Sequence, residues 1–371
     1  MATPSTSTTP NEQQLFDAAC GGDERAFARI VEPRRAELHA HCYRMLGSVH
    51  DADDALQDAL LRAWRALGRF EGRSSLRSWL YRIATNTCLD LIARRPKRVL
   101  PIDYGPAFDP HDGLGMPPAE SAWIDPYPDS QLGLEEGLAG PEARYELRES
   151  VELAFVAALQ NLPATQRAVL ILREVLGFSA REVAETLETT VASVNSALQR
   201  ARQATEERLP DRSQQETLRA LGDNALREVV QGYMDAMERG DIDAVVSMLT
   251  EDAAWSMPPL AAWFTGREEL EGFLASGPLS GDWRWRHAPG RANGQAAVGS
   301  YTWQEEEGGF LPFALDVLTL DGPRISGITS FITRSTRGGD PDFYVRWPEQ
   351  SFDVADVRAR FERFGLPARL D

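Results

Sequence analysis

Between Phe178 and Arg202 the chain carries polar side chains spaced for reading nucleic acid. Ser193, Asn195, Ser196, Gln199, Arg200 and Arg202 fall on the outward positions of a helix whose inward positions are Val194 and Leu198. Asn and Gln can pair with adenine edges, whereas Ser and Arg can contact phosphates or guanine. The flanking residues say how such a helix would be held. Ser179 reads as an N-cap, and Glu182 three residues on completes a capping box. Val183, Ala184 and Leu187 form the inward face of a first helix, Glu188-Thr189-Thr190 the turn, and Val191 to Glu207 the second helix. This is helix-turn-helix form, although a hairpin that merely packs would show the same apolar positions.

A second group of candidates lies upstream. From Arg62 to Arg98 the bases Arg62, Arg65, Arg69, Arg73, Arg77, Arg82, Arg94, Arg95, Lys97 and Arg98 face only two acids, Glu71 and Asp90. Arg82, Asn86 and Asp90 are spaced by four, which places them on one helical face. From Val99 to Ala143 there is no Lys or Arg, only acids such as Asp103, Asp109, Asp125, Asp129 and Glu142. The formal net charge of −17 argues at first against a nucleic-acid partner, but the distribution shows basic stretches inside an acidic chain. Cys20, Cys42 and Cys88 are far apart with no CxxC pair. That argues against a disulfide framework or a zinc site and for a reducing compartment, and neither metal nor cofactor is expected. No apolar run approaches the ~20 residues that cross a bilayer, so no membrane partner is expected.

With 371 residues the chain suits several domains. Residues 1–11 form a Ser/Thr/Pro-rich tail without signal-peptide character. Residues 12–98 read as helix after helix, with Phe27, Ile30 and Val31 opening one apolar stripe and Leu56, Leu60, Trp64 and Leu67 another. Residues 99–143, rich in Pro and Gly, read as a linker. Helical pattern resumes over 144–209, and a polar stretch, 210–223, precedes a third region, 224–371. There Leu226–Glu238, Ile242–Leu249 and Arg267–Leu274 read as helices. Asp282–His287, Ala296–Trp303, Phe310–Leu320 and Arg324–Ile332 read as strands, with turns at Asn293-Gly294, Gly308-Gly309 and Asp321-Gly322. The expectation is a multidomain protein, two all-α domains followed by an α+β domain.

Three collinear stretches carry a family resemblance. They are HDADDALQDALLRAWRALGRFEG (His50–Gly72), RSSLRSWLYRIATNTCLDLIARR (Arg73–Arg95), and LQNLPATQRAVLILREVLGFSAREVAETL running into the hairpin. Together they resemble the extracytoplasmic-function (ECF) branch of the bacterial sigma-70 family. The resemblance implies a cytoplasmic transcription initiation factor whose partners are core RNA polymerase, through its β′ clamp helices and β flap, and promoter DNA. It assigns Asp53, Asp54, Gln57, Asp58 and Leu61, with Trp64, to the clamp helices; an acidic face with an exposed Leu suits a basic helical partner. It assigns Phe70, Gly72, Arg73 and Ser74 to the loop beside the −10 base pocket. Arg77, Trp79, Arg82, Asn86, Asp90, Arg94 and Arg95 fall on the helix that follows. Trp64 and Trp79 also suit core positions, and Asp90 could simply pair with Arg94. Ser193, Asn195, Ser196, Gln199, Arg200 and Arg202 fall to the −35 element. In the family the linker threads the polymerase's active-site and RNA-exit channels; a solvated spacer would have the same composition.

The third region resembles the SnoaL-like, nuclear-transport-factor-like cone in Leu226–Pro259, in Trp263–Leu274 and in the strands ending LDGPRISGITSFI. Trp255, Trp263, Trp283, Trp285 and Trp303, with Met257, Phe264 and Phe313, are candidates to line an apolar pocket or to be ordinary core. Cone-shaped relatives that isomerise or cyclise use Asp/His or Tyr/Asp devices, for which Asp252, His287 and Asp316 are the available groups. A control domain is the expected role, not an enzyme. It would act through intramolecular contact with the sigma domains, with a small ligand as a further candidate partner.

Overall fold

The computed structural model describes residues 10–72, 74–109, 123–133, 141–333 and 353–371. The chain divides into two compact units. The first comprises Met1–Lys97, Gln131–Gly133 and Ala158–Leu209; the second comprises Arg98–Ser130, Leu134–Ala157 and Pro210–Asp371.

The first unit opens with α1 (Pro10–Cys20), α2 (Glu24–Val31), α3 (Arg35–Leu46), α4 (Val49–Ala66) and α5 (Leu76–Ile92). Local chemistry sets the breaks between them. Gly47 ends α3 at φ 69°, and the Ser48 hydroxyl then accepts the Asp51 N–H to start α4. Ser75 caps α5 through the Ser78 N–H. Ala52, Ala55, Leu56, Ala59 and Ala63 form the buried stripe of α4, small enough to let α3 and α5 approach closely.

The intervening chain contributes α6 (Pro101–Tyr104), α7 (Pro141–Glu149) and α8 (Leu153–Asn161). The first unit then resumes with α9 (Ala164–Leu170), a π-helical turn over Ile171–Val175, α10 (Ala180–Thr186) and α11 (Val191–Glu206). Ser179 and Glu182 form both halves of the expected capping box, Glu188 makes the turn at φ 51°, and Thr190 caps α11. Arg167 on α9 is 5% exposed. Its guanidinium donates to the Met45 carbonyl at the end of α3, to the Gln160 side chain, and to the carbonyls of Gln160 (3.0 Å) and Leu162 (3.2 Å). Burial holds its pKa down, to about 10.

The second unit is built on α12 (Gln214–Arg239), α13 (Ile242–Met248), β1 (Leu249–Ser256), β2 (Trp263–Thr265), α14 (Arg267–Ser276), β3 (Trp285–Ala292), β4 (Gln295–Gln304), β5 (Gly309–Asp321), β6 (Arg324–Ile332) and α15 (Val354–Glu362). The sheet order is β2-β1-β6-β5-β4-β3. β1 runs parallel to β6 and the other pairs are antiparallel. Helices α12 and α14 cover one face, and Phe361 and Leu366 pack on the other against Tyr301, Gly299 and Gly290.

Three expectations change here. The polar stretch 210–223 is helical from Gln214, because Ser213 and Glu216 form a second capping box; a kink at Gly222 (φ 76°) follows. β1 and β2 were not expected, since Glu251 and Asp252 interrupt the apolar pattern of β1. β3 begins later than Asp282 and runs on through Pro289, which an edge strand tolerates because one row of its backbone groups is unpaired. Among the described residues no helix is long and apolar enough to cross a membrane.

Arg167→Met would leave the Met45, Gln160 and Leu162 carbonyls without their donor. It is expected to lower the unfolding free energy of the first unit by about 2–4 kcal/mol, read as a fall in the urea midpoint with α9–α11 losing exchange protection first. A change within error would show that Arg167 does not hold these segments together.

Candidate nucleic-acid and polymerase interface

On α4, Asp53, Asp54, Gln57 and Leu61 are exposed, Leu61 at 44%. The acids are not all unengaged. Asp53 lies 3.2 Å from His39 Nε2, a buried imidazole whose pKa is lowered by desolvation. Asp58 pairs with Arg62 at 2.8 Å, and Arg62 also reaches Asp90 at 3.0 Å. Asp90 therefore bonds across to α4 and not to Arg94, which with Arg95 lies beyond the end of α5 and not on it as expected. Trp64 packs on Phe27 with centroids 5.2 Å apart.

Around α5 the expected −10 residues have unequal surroundings. Phe70 packs with both Phe16 (5.6 Å) and the buried Trp79 (5.1 Å), so its ring is supported by two aromatic neighbours. Ser74, Arg82 and Arg94 are exposed and Asn86 is half-buried; Arg73 lies outside the described residues. Arg95 pairs with the buried carboxylate of Asp51. Arg77 is already occupied, against the expectation of an available cation. It donates to the Leu176 carbonyl at 3.2 Å and lies over the rings of Phe178 (4.6 Å) and Tyr81 (5.1 Å). In the helix-turn-helix, Ser193, Asn195, Ser196, Gln199, Arg200 and Arg202 are all exposed on α11 while Val194, Ala197 and Leu198 are buried. Arg202 pairs with Glu174 at 2.7 Å.

The five tryptophans singled out in the cone do not share one pocket. Trp255 and Trp285 are in its apolar core and Trp283 packs against them. Trp303 points to the opposite face, under Arg284 at 4.5 Å and beside Phe310. Trp263 alternates away from the buried Phe264, and its indole donates to the Gly105 carbonyl at 2.9 Å. Asp252 is exposed, so it does not join His287 and Asp316 inside. The Asp316 carboxylate is buried and accepts from the Ser300 hydroxyl (2.7 Å) and the Tyr233 hydroxyl (3.1 Å), with Ser330 beside it. Burial raises its pKa against these bonds. The Trp255 indole donates to Ser330, which closes a polar network across α12, β1, β4, β5 and β6. The His287 ring is buried; its backbone N–H donates to Glu238 at 2.8 Å.

The segment expected as a linker is fixed to the cone at both sheet edges. At β2, the Phe108 N–H donates to the Trp263 carbonyl at 2.8 Å, and the Phe108 ring rests on the core. At β3, the Asn293-Gly294 turn takes both residues at positive φ, as an Asn-Gly hairpin requires. The Asn293 amide oxygen accepts the Tyr127 N–H (2.8 Å), its NH2 donates to the Val151 carbonyl (2.7 Å), and its backbone N–H donates to the Tyr127 carbonyl (2.8 Å). Asp129 accepts from the Gly294 N–H (2.7 Å) and from Arg291 (3.2 Å). Leu153 N–H donates to Gln295, and Glu152 accepts the Gln214 and Gln215 N–H groups at the start of α12. Residues 144–157, expected with the second helical domain, thus lie in the second unit.

Comparison with known proteins identifies the three regions. Residues 30–98 match the sigma-70 region 2 family, 152–204 the sigma-70 region 4 family and 230–328 the SnoaL-like domain family. The chain is 41% identical over 326 residues to the ECF RNA polymerase sigma factor SigG of Mycobacterium tuberculosis, covering 86% of each chain. It belongs to the ECF sigma factor family. It is also 33% identical over 190 residues to the ECF sigma factor SigW of Bacillus subtilis, covering 51% of this chain and 92% of that one. The crystal structure of the Mycobacterium tuberculosis ECF sigma factor SigJ shares the fold, with TM-score 0.52 and 20% identity over 82% of this chain and 96% of that one.

Sequence reasoning missed several working residues of this sigma factor: His39, Arg62, Arg167 and Asn293. Only Asn293 had a sequence signal, since Asn-Gly marked the hairpin but not its partners. Glu152 was missed as well. It is buried, which pushes its pKa up to about 7 despite two backbone N–H bonds that favour the charge. A raised folded-state pKa gives a contribution that is full below the unfolded value and is lost as pH rises through about 7. The second unit is therefore expected to lose thermal stability between pH 5 and pH 8, and Glu152→Gln should flatten that slope. An unchanged slope in the variant would assign the pH dependence to other groups.

Proposed function

We propose that this sigma factor binds core RNA polymerase through the exposed face of α4, reads the −10 element with Phe70–Arg95, and reads the −35 element with α11. The observation that carries this reading is the collinear relationship to an ECF sigma factor over all three regions, the third included. The exposed row of α11 over a buried Val194/Leu198 seam supports the −35 role. The supported Phe70 ring beside Ser74 and Arg82 supports the −10 role, since a flipped base needs an aromatic or polar cradle. The protein works where polymerase works, in the bacterial cytoplasm.

The cone acts as a control domain held in cis. Its contacts with the linker at Phe108 and at Tyr127–Asp129, and with Val151–Leu153, favour this role over an enzyme. The one buried acid among the catalytic candidates, Asp316, is committed to Tyr233, Ser300 and Ser330. A linker bound along both edges of the sheet is not available to a polymerase channel, so activity requires its release.

Base-specific and phosphate contacts separate cleanly in a binding experiment. Gln199→Ala or Asn195→Ala should cost about 1–3 kcal/mol at particular −35 positions and relax their specificity. Arg202→Ala should weaken binding uniformly and lower the salt slope by about one. Uniform losses in all three would contradict base reading by α11. For the cone, Asn293→Gly keeps the turn conformation and removes only the side-chain amide. It should make 123–130 more than about tenfold more susceptible to limited proteolysis, the equivalent of losing more than about 1.4 kcal/mol of protection, and should raise run-off transcription. Unchanged proteolysis and transcription would contradict a restraint of the linker through Asn293.

A further inference from the structure

The second unit holds a guanidinium that its own acids leave unbalanced. Arg148, in the last turn of α7, is half-buried, and among the described residues its side chain makes no hydrogen bond or ion pair. Its place is fixed by the β3–β4 turn. A Cβ on Gly294 would fall 2.8 Å from the Arg148 carbonyl oxygen and 2.9 Å from the Arg148 Cβ. Arg291 reaches the same turn from β3, and its Nη2 donates to the Gly294 carbonyl at 2.8 Å. Arg144, four residues before Arg148, shares its helical face. The end of a helix suits one cation, but here the neighbours are cations too. Burial first, then the Arg291 and Arg144 guanidinium groups, push Arg148 below the usual arginine range, with Asp129 opposing them. In a chain of net charge −17, three guanidinium groups thus gather beside Asp129.

Asp129 shows what the cluster accepts. Its Oδ1 takes the Gly294 N–H at 2.7 Å, and its Oδ2 takes the Arg291 Nε at 3.2 Å. A backbone N–H in a left-handed turn beside a guanidinium is a cradle for an oxyanion. Asp129 fills it with one negative charge and leaves Arg148 without a bond. We propose that Arg148, Arg291 and the Gly294 N–H bind the phosphate group of a small anion, which displaces Asp129. A phosphate carries up to two charges and has oxygens for both guanidinium forks and the backbone N–H. Asp129 belongs to the segment 123–130 that the Asn293 turn holds, so its displacement loosens that segment. The inference rests on the reading of the cone as a control domain acting through the linker, and it adds the class of molecule that relieves the control.

The test is calorimetric titration of the full-length chain with inorganic phosphate, pyrophosphate and ADP, with chloride salts holding the ionic strength constant. One saturable site per chain is expected. Binding should weaken about tenfold in Arg148→Gln, which removes a charge-assisted donor. It should tighten about tenfold in Asp129→Asn, which removes the competing carboxylate. The thermal midpoint of Arg148→Gln without anion should equal that of the parent, since the lost guanidinium has no bond to give up. ADP binding tighter than phosphate assigns the site to a phosphorylated metabolite, and equal binding assigns it to the free ion; either supports the site. Saturating pyrophosphate should speed limited proteolysis of 123–130 in the parent about threefold. No saturable binding, or binding equal in the parent and both variants, would overturn the site. Binding that follows both variants but leaves 123–130 equally protected would contradict the release of the linker, and with it the control reading, while the anion site itself would stand.

Discussion

The second unit depends on the buried amide of Asn293. Both of its polar atoms are fully withdrawn from water, and each is satisfied by a backbone group from a distant part of the chain, Tyr127 and Val151. Leaving such a group unpaired costs about 1–3 kcal/mol, so the β3–β4 hairpin is complete only when the linker and the approach to region 4 lie against it. Gly294 reinforces the constraint, because a Cβ there would meet Arg148 at under 3 Å. One two-residue turn therefore joins the cone to two segments that a free spacer would leave in solvent. The Phe108 contact at the opposite sheet edge does the same with an apolar anchor and one backbone bond.

The first unit solves a different problem, that of keeping basic stretches folded within an acidic protein. Several of its bases are neutralised locally: Arg62 by Asp58 and Asp90, Arg95 by Asp51, Arg202 by Glu174. The exposed pairs of Arg62 and Arg202 stabilise little, whereas the Asp51 carboxylate is buried. Exposed pairs of this kind can exchange for phosphates, which is compatible with the proposed DNA-reading role of this unit. Arg167 is the opposite case. It is buried and bonded to carbonyls instead of carboxylates, and it holds α9 to the end of α3.

Much of this was legible in the residues. The capping box at Ser179 and Glu182, the turn at Glu188 and the inward Val194/Leu198 seam are local, and local chemistry specifies them. The apolar stripe of α4 and the Asn-Gly hairpin belong to the same class. What could not be read were partners distant in sequence. Nothing near Asn293 announces Tyr127, nothing near Asp90 favours Arg62 over Arg94, and composition alone made 99–143 look like a free spacer. Trp263 and Trp303 were misplaced for a similar reason. Alternation along a strand gives two faces but does not say which face is the core until the neighbouring strands are set in register.

The central claim is that this protein is a promoter-specificity factor whose cone and linker restrain it in cis. Run-off transcription on a pool of genomic promoter fragments, with purified core polymerase and the full-length chain, tests it most directly. The account predicts discrete start sites that share one pair of −10 and −35 sequences, with higher yield from the same sites when residues 210–371 are removed. Failure to bind core polymerase and to start at defined sites, with and without those residues, would contradict it.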